Sequence, residues 1–155
     1  MGKRLVAYFS ASGVTKQVAE KFAKAAGADL FEIRPVEPYT DADLNWKNPL
    51  ARCNREWIGR KAVPVEGVVE HMSDYETVYL GFPIWYGIFP NIVGTFVKQY
   101  DFSGKKIVLF ATSGGSGMGK TAAKLREQLD QEAEITDLGI LKPDVTEEKL
   151  KDLIR

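Results

Sequence analysis

Three hydroxyl side chains surround a glycine in a short turn near the amino terminus. The turn consists of Ser10, Ala11, Ser12, Gly13, Val14 and Thr15. The apolar run Leu5–Phe9 precedes it, and apolar residues recur at helical spacing from Val14 to Ala26, which predicts a buried strand followed by a helix. The first amides of such a helix, together with its dipole, favour an anion. Hydroxyls and amides without a central cation suit a terminal phosphate that is held rigidly.

A capped helix is the alternative interpretation of this turn, because serine and threonine are ordinary N-cap residues. Three hydroxyls in six residues exceed what capping needs, and Gly13 allows the backbone to approach a ligand closely. Lys16 follows the turn, and no lysine or arginine lies within it. Phosphate binding is therefore the favoured hypothesis.

Two further loops follow apolar strands and carry unusual compositions. The predicted strand Glu76–Phe82 leads into an apolar, aromatic loop of Pro83, Ile84, Trp85, Tyr86 and Gly87. Loops normally carry polar turn residues, so this composition indicates a wall for something flat. The predicted strand Lys106–Thr112 leads into a loop of small residues, Ser113–Gly119, which supplies backbone amides and carbonyls at close range.

The remaining elements predict a doubly wound α/β fold. Ala28–Arg34 alternates like a strand at a sheet edge and should end at Pro35. Residues 36–73 are the least regular part and are expected to form a surface connection with a short helix. Further elements are expected at 91–100 (helix), 120–130 (helix), 134–140 (strand) and 147–154 (helix), and Gly27 is the expected C-cap of the first helix. Alternating strands and helices predict a five-stranded parallel sheet, ordered 2-1-3-4-5, with helices on both faces. Residues 1–155 are expected to form a single domain.

Composition excludes several classes of function. Lysine plus arginine equals aspartate plus glutamate at 21 each, so nothing indicates a nucleic acid or a membrane surface as a partner. The single cysteine, Cys53, excludes an internal disulfide and a cysteine-based metal cluster, which agrees with a reducing cytoplasm. We expect a cytoplasmic protein without a metal site, in which Cys53 and His71 have no functional role.

The three loops are expected to meet at one place. In the order 2-1-3-4-5 the first, third and fourth strands are neighbours, so their loops converge at the switch point where such folds bind ligands. A phosphate site, a stacking surface and a backbone-lined cleft together describe a pocket for a phosphorylated molecule with a flat ring. Flavin mononucleotide (FMN) fits that description.

The sequences of the three loops resemble those of a known family. SASGVT resembles the phosphate loop of flavodoxins, and GFPIWYGIFP and TSGGSGMG are similar to the second and third flavin loops of the short flavodoxins of anaerobic and lactic bacteria. The resemblance implies that the Ser10–Thr15 turn binds phosphate and that Pro83–Gly87 wraps the flavin ring, with Trp85 or Tyr86 against one face. It also implies a set of residues along the ring edge and the ribityl chain: Thr112, Ser113, Gly114, Gly115 and Gly117.

The resemblance implies an electron carrier that serves redox partner proteins as a monomer or weak dimer, with no residue in a catalytic role. Two features depart from the family pattern: electron-shuttling flavodoxins are usually strongly acidic, whereas this chain is neutral, and its third loop has no aromatic residue. An NAD(P)H-dependent FMN or quinone reductase of the same fold is the alternative. A more distant one is a nucleotide-binding P-loop, since Gly114–Thr121 fits G-x-x-x-x-G-K-T.

Overall fold

The structure is a computed structural model of the chain. It describes residues 3–10, 13–36, 47, 65–69, 71–84, 89–112, 121–128 and 133–154.

Five parallel strands form the central sheet of the described part of the chain. Its strands are β1 (Lys3–Tyr8), β2 (Asp29–Glu32), β5 (Tyr75–Pro83), β6 (Lys106–Thr112) and β7 (Glu134–Ile140). Two shorter strands, β3 (Arg34–Pro35) and β4 (Val65–Glu66), pair with each other outside this sheet. The sheet order is β2-β1-β5-β6-β7 and every pairing is parallel, which confirms the predicted order 2-1-3-4-5.

The described helices follow strands β1, β5, β6 and β7 along the chain, as the apolar spacing predicts. They are α1 (Val14–Ala26), α2 (Asn91–Lys98), α3 (Thr121–Gln128) and α4 (Glu147–Ile154), with a 3-10 turn at Met72–Asp74. Gly27 ends α1 as its C-cap with a φ of 63°, and its N–H group donates to carbonyls of the last turn. No helix in the described ranges has both the length and the apolar character needed to cross a membrane.

The sheet is covered on both faces, as predicted. One face buries Val6, Tyr79 and Phe110 against α1 and Leu150 of α4. The other face buries alternate residues of the same strands against α2 and Leu125 of α3. Since strands buried on both faces lack polar alternation, the continuous apolar runs in the sequence are explained by this two-sided burial.

The strand expected at Ala28–Arg34 is in fact two strands. β2 ends at Glu32, and the chain then leaves the central sheet so that Arg34 and Pro35 pair antiparallel with Glu66 and Val65. Pro35 does not end the pairing, because a proline is tolerated at the edge of a short ladder. The edge position is confirmed, and Ile33, between the two strands, is fully buried.

Gly81 in β5 allows an aromatic ring to lie directly over the sheet. A Cβ atom at Gly81 would lie 2.2 Å from Cζ of Phe110, its neighbour on β6. The Phe110 ring stacks on Phe22 of α1, with ring centroids 4.7 Å apart and planes 10° apart. The missing side chain at Gly81 therefore sets how closely β6 packs beneath α1.

Candidate functional site

Neighbouring strands β1, β5 and β6 end at the same edge of the sheet. In the register of the sheet Tyr8 is opposite Gly81, and Pro83 is opposite Thr112. Pairing continues past β1, because the N–H group of Phe9 donates to the carbonyl of Gly81 at 2.9 Å. The three loops that carry the sequence-predicted site residues therefore begin side by side, as expected for a ligand site at a switch point.

The hydroxyl-rich turn places the amino terminus of α1 at this edge. Gly13 is the N-cap residue, in the left-handed region with a φ of 93°. Its N–H group donates to Oγ of Ser10 at 3.1 Å, and the first helical hydrogen bond runs from the N–H of Gln17 to the Gly13 carbonyl. The amides of the three residues between Gly13 and Gln17 thus have no acceptor within the helix.

Gly13, the N-cap residue of α1, has no side chain with which to cap the helix. No acidic residue lies in the first turn of α1, so the helix supplies no carboxylate of its own to its positive end. Lys16, in that first turn, is exposed. The donors and the dipole therefore suit an external anion such as a phosphate.

A buried hydrogen bond joins the first loop to the end of β6. Oγ1 of Thr15 and Oγ1 of Thr112 lie 2.7 Å apart, although the two residues are 97 positions apart in the chain. Only 2% of Thr15 and 3% of Thr112 is exposed. Two predicted site residues, one in the first turn of α1 and one at the end of β6, are thus in direct contact.

The aromatic loop is anchored on both sides of its central residues. On one side, the N–H group of Ile84 donates to the carbonyl of Thr112 at 2.9 Å. On the other, the buried ring of Phe89 packs edge-on against Phe82 of β5, with centroids 6.2 Å apart and planes 72° apart. Pro90 then precedes α2 as its N-cap residue. The ends of this segment are consequently fixed to the sheet and to α2.

The structure describes seven of the sixteen predicted site residues: Ser10, Gly13, Val14, Thr15, Pro83, Ile84 and Thr112. All seven lie at the common edge of β1, β5 and β6. The other nine lie outside the described residues: Ala11, Ser12, Trp85, Tyr86, Gly87, Ser113, Gly114, Gly115 and Gly117. Their assignment to a cofactor stays a prediction, as does the choice between Trp85 and Tyr86 as the stacking residue.

Tyr8 lies at the end of β1, directly before this edge. Burial and, after it, the negative charges of Glu32 and Glu20 raise the pKa of its hydroxyl from 10.0 to about 12. Tyr8 is therefore neutral at physiological pH, and it places no negative charge near the candidate loops. Within the described residues, no group of three or more His, Cys, Asp or Glu side chains could hold a metal ion.

Sequence reasoning did not single out Gly81, although an isolated glycine inside an apolar strand signals a close approach of another group. The contact between Thr15 and Thr112 was also not foreseen. Both threonines were predicted as site residues, but the sequence holds no signal that their hydroxyls pair with each other.

Comparison with family models gives a match over nearly the whole chain. The family model described as flavodoxin matches residues 3–155. A comparison with curated proteins gives no match.

Solved structures resemble the whole chain. A protein from Bacteroides eggerthii assigned as a flavoprotein has a TM-score of 0.92 and 35% identity, covering 99% of this chain and 96% of that one. A second, from Bacteroides uniformis, has a TM-score of 0.88 and 33% identity, covering 99% and 97%. A Lactobacillus acidophilus flavoprotein, in complex with FMN, has the same fold, with a TM-score of 0.70, 22% identity and full coverage of both chains. The chain belongs to the flavodoxin family.

Proposed function

We propose that this protein binds FMN at the common edge of β1, β5 and β6 and carries electrons between redox partner proteins. The observation that carries the proposal is the amino terminus of α1. There a left-handed Gly13 leaves the helix without a side-chain cap, beside the buried hydroxyls of Thr15 and Thr112. The FMN in the Lactobacillus acidophilus flavoprotein, which shares the fold, supports the choice of cofactor.

The donor set of the first loop fits the phosphate of FMN. Amides at a helix start and neutral hydroxyls bind a dianion through directed hydrogen bonds, each contributing about 1.5–3 kcal/mol when the acceptor is charged. Ser10, Ser12 and Thr15 are the hydroxyl residues proposed for this role, with the amides that follow Gly13. Such a site holds a terminal phosphate without a metal ion.

The second and third loops are proposed to hold the ring. Pro83–Gly87 supplies the aromatic wall, and Ser113–Gly117 supplies backbone groups along the ring edge. FMN supplies one-electron redox chemistry when it is bound. The role of the protein is to bind, orient and shield the ring while leaving an edge accessible to partner proteins.

The carrier role is favoured over the reductase role on chain organisation. A reductase needs a second site for a nicotinamide, and the dinucleotide fingerprint G-x-G-x-x-G does not occur in the sequence. Mixing the FMN-loaded protein with NADH or NADPH in stopped flow tests this directly. Slow or absent nicotinamide oxidation supports the carrier, whereas rapid oxidation coupled to reduction of a quinone or free flavin would establish the reductase.

The cofactor itself is tested by the absorption spectrum of the purified protein and by titration of the apoprotein. We expect flavin absorption bands in the visible range and tighter binding of FMN than of riboflavin, because riboflavin lacks the phosphate. ATP is the control ligand, since Gly114–Thr121 fits the P-loop pattern. A colourless protein that binds ATP and neither flavin would refute the proposed function.

A further inference from the structure

Thr112 contacts two of the cofactor loops at once and leads directly into the third. Its hydroxyl lies 2.7 Å from that of Thr15 in the first loop, and its carbonyl accepts the Ile84 N–H group of the second loop at 2.9 Å. It is also the last residue of β6, and the glycine-rich segment follows it. The resemblance to flavodoxins placed Thr112 along the flavin ring, but its observed side-chain partner belongs to the phosphate turn.

We propose that Thr112 is a positioning residue for the phosphate of the cofactor and acts through Thr15. The inference rests on the proposed binding of FMN. A hydroxyl group has one proton to donate, and in the pair Thr15–Thr112 either oxygen can be the donor. If Thr15 donates to a phosphate oxygen, its own oxygen must accept from Thr112. A bound phosphate thus selects one direction for the chain of hydrogen bonds, from Thr112 to Thr15 to the anion.

The backbone of Thr112 is held firmly enough for this role. Thr112 pairs with Pro83 in the register of β5 and β6, and the Ile84 N–H group bonds its carbonyl. Its hydroxyl is therefore presented to Thr15 from the rigid sheet rather than from a loop. Hydrogen bonds in series polarise each other, so the bond from Thr112 strengthens the one that Thr15 donates to the anion.

The test is a double-substitution cycle with two ligands that differ only in the phosphate. Dissociation constants of FMN and riboflavin are measured by quenching of flavin fluorescence with the apoproteins of the wild type, Thr112→Val, Thr112→Ser, Thr15→Val and the Thr15→Val/Thr112→Val double variant. Valine has the shape of threonine without the hydroxyl, and serine keeps the hydroxyl. Thr77→Val is the matched control, because Thr77 lies near the start of β5, opposite Lys106, at the far end of the strands from the three loops.

We expect Thr112→Val to raise the dissociation constant of FMN about tenfold, which corresponds to the loss of one hydrogen bond in a chain that ends on a charged group. The dissociation constant of riboflavin should change less than about twofold. Thr112→Ser should bind FMN within about threefold of the wild type. The double variant should bind FMN no more weakly than Thr15→Val alone, because Thr112 acts only through Thr15. Thr77→Val should change the dissociation constant of neither ligand.

Three results would overturn the inference while leaving FMN binding intact: equal losses for FMN and riboflavin, additive losses in the double variant, or a serine variant as weak as the valine variant. Far-ultraviolet circular dichroism and urea unfolding of each apoprotein check the fold. Should Thr112→Val fail to fold, Thr112→Ala against Thr112→Ser provides the same comparison. A wild type that binds no FMN would refute the proposed function, and the inference with it.

Discussion

Replacing Gly81 by alanine tests whether the missing side chain sets the packing of the sheet beneath α1. The new methyl carbon would lie 2.2, 2.4 and 2.9 Å from three ring carbons of Phe110. These distances are too short for any real contact, so the ring has to move. Phe110 is fully buried and stacked on Phe22, with centroids 4.7 Å apart, so movement of its ring disturbs that stack.

The expected change in the free energy of unfolding of Gly81→Ala is the difference between two opposing effects. Overpacking a well-packed core costs about 1–3 kcal/mol. Alanine also restricts the unfolded chain, which returns about 0.4–1 kcal/mol. The φ of Gly81 is not in the left-handed region, so backbone strain adds nothing. The difference spans about 0–2.6 kcal/mol, and the 2.2 Å approach to a fully buried ring favours its upper part. The free energy of unfolding should therefore fall by about 1–2.6 kcal/mol, and Tm by about 2–4 °C for each kcal/mol in a chain of this size.

The assay is urea denaturation of the apoprotein, followed by tryptophan fluorescence and circular dichroism. Phe110→Leu also destabilises on its own, because buried ring atoms are lost. The leucine leaves space for the methyl group at position 81, so the double variant Gly81→Ala/Phe110→Leu should lose at least about 0.5 kcal/mol less than the sum of the two single variants.

Additive losses, or a Gly81→Ala variant as stable as the wild type, would refute this account of the packing. Gly27→Ala is the matched control. At Gly27 a Cβ atom would meet nothing within 4 Å, but its φ of 63° lies in the left-handed region. That variant should lose about 1–2 kcal/mol through the backbone alone, and this loss should simply add to that of Phe110→Leu.

Three further substitutions probe the site and its support. A Cβ atom at Gly13 would meet nothing within 4 Å, but the φ of 93° lies in the left-handed region, so Gly13→Ala should cost about 1–2 kcal/mol through backbone strain alone. The variant should also bind FMN more weakly in the fluorescence titration. Unchanged stability would contradict the left-handed cap. Tyr8 and Tyr75 have pKa values raised to about 12, mainly by burial, with an added hydrogen bond to Asp29 at Tyr75. Because unfolded tyrosines have a pKa near 10, these two groups leave the free energy of unfolding unchanged below pH 10 and lower it as the pH rises towards 12. Tyr8→Phe should flatten that decline and remove a late step from the absorbance titration at about 295 nm. Lys105 donates to the carbonyls of Met72 and Tyr75 at the opposite edge of the sheet, so Lys105→Met should lower the unfolding free energy by about 1–3 kcal/mol without altering FMN affinity.

The strands and helices could be predicted because each apolar run has one physical cause. Leu5–Phe9 is almost completely buried, at 2% exposure or less for each residue, since helices cover both faces of its strand. A run of this kind has few alternatives in a chain of alternating strands and helices. The sheet order then followed from the fold class, and with it the convergence of the three loops.

The misread strand shows where the pattern loses information. Phe31 and Ile33 do point to one core, as the alternation indicated, but the chain changes sheets between them and Arg34. A two-residue ladder such as Arg34–Pro35 with Val65–Glu66 has no periodicity to detect. Its partner strand, Val65–Glu66, lies in a stretch for which the sequence predicted a surface connection with a short helix.

The side-chain partners of the candidate site residues were harder to predict than the place where the three loops begin. Hydroxyl residues beside a glycine at a helix start predict an anion-binding turn through local chemistry alone, so the sequence was enough to propose Ser10 and Thr15 as site residues. The bond between Thr15 and Thr112 joins residues 97 positions apart, and it depends on the register of β5 with β6. Local patterns carry no information about such a register, and threonine is common enough that composition gives no hint of the pair.

The residues that pack the sheet are separate in the structure from the residues proposed to hold a ligand. Gly81 and Phe110 are packed within the core beneath α1, whereas the hydroxyls of Thr15 and Thr112 meet at the edge where the loops begin. Gly81→Ala should therefore lower the unfolding free energy while leaving the ratio of FMN to riboflavin affinity close to that of the wild type. Thr112→Val should change that ratio. If both variants changed stability and the ratio together, the sheet and the site would be one energetic unit, and no single hydroxyl could be assigned to the phosphate.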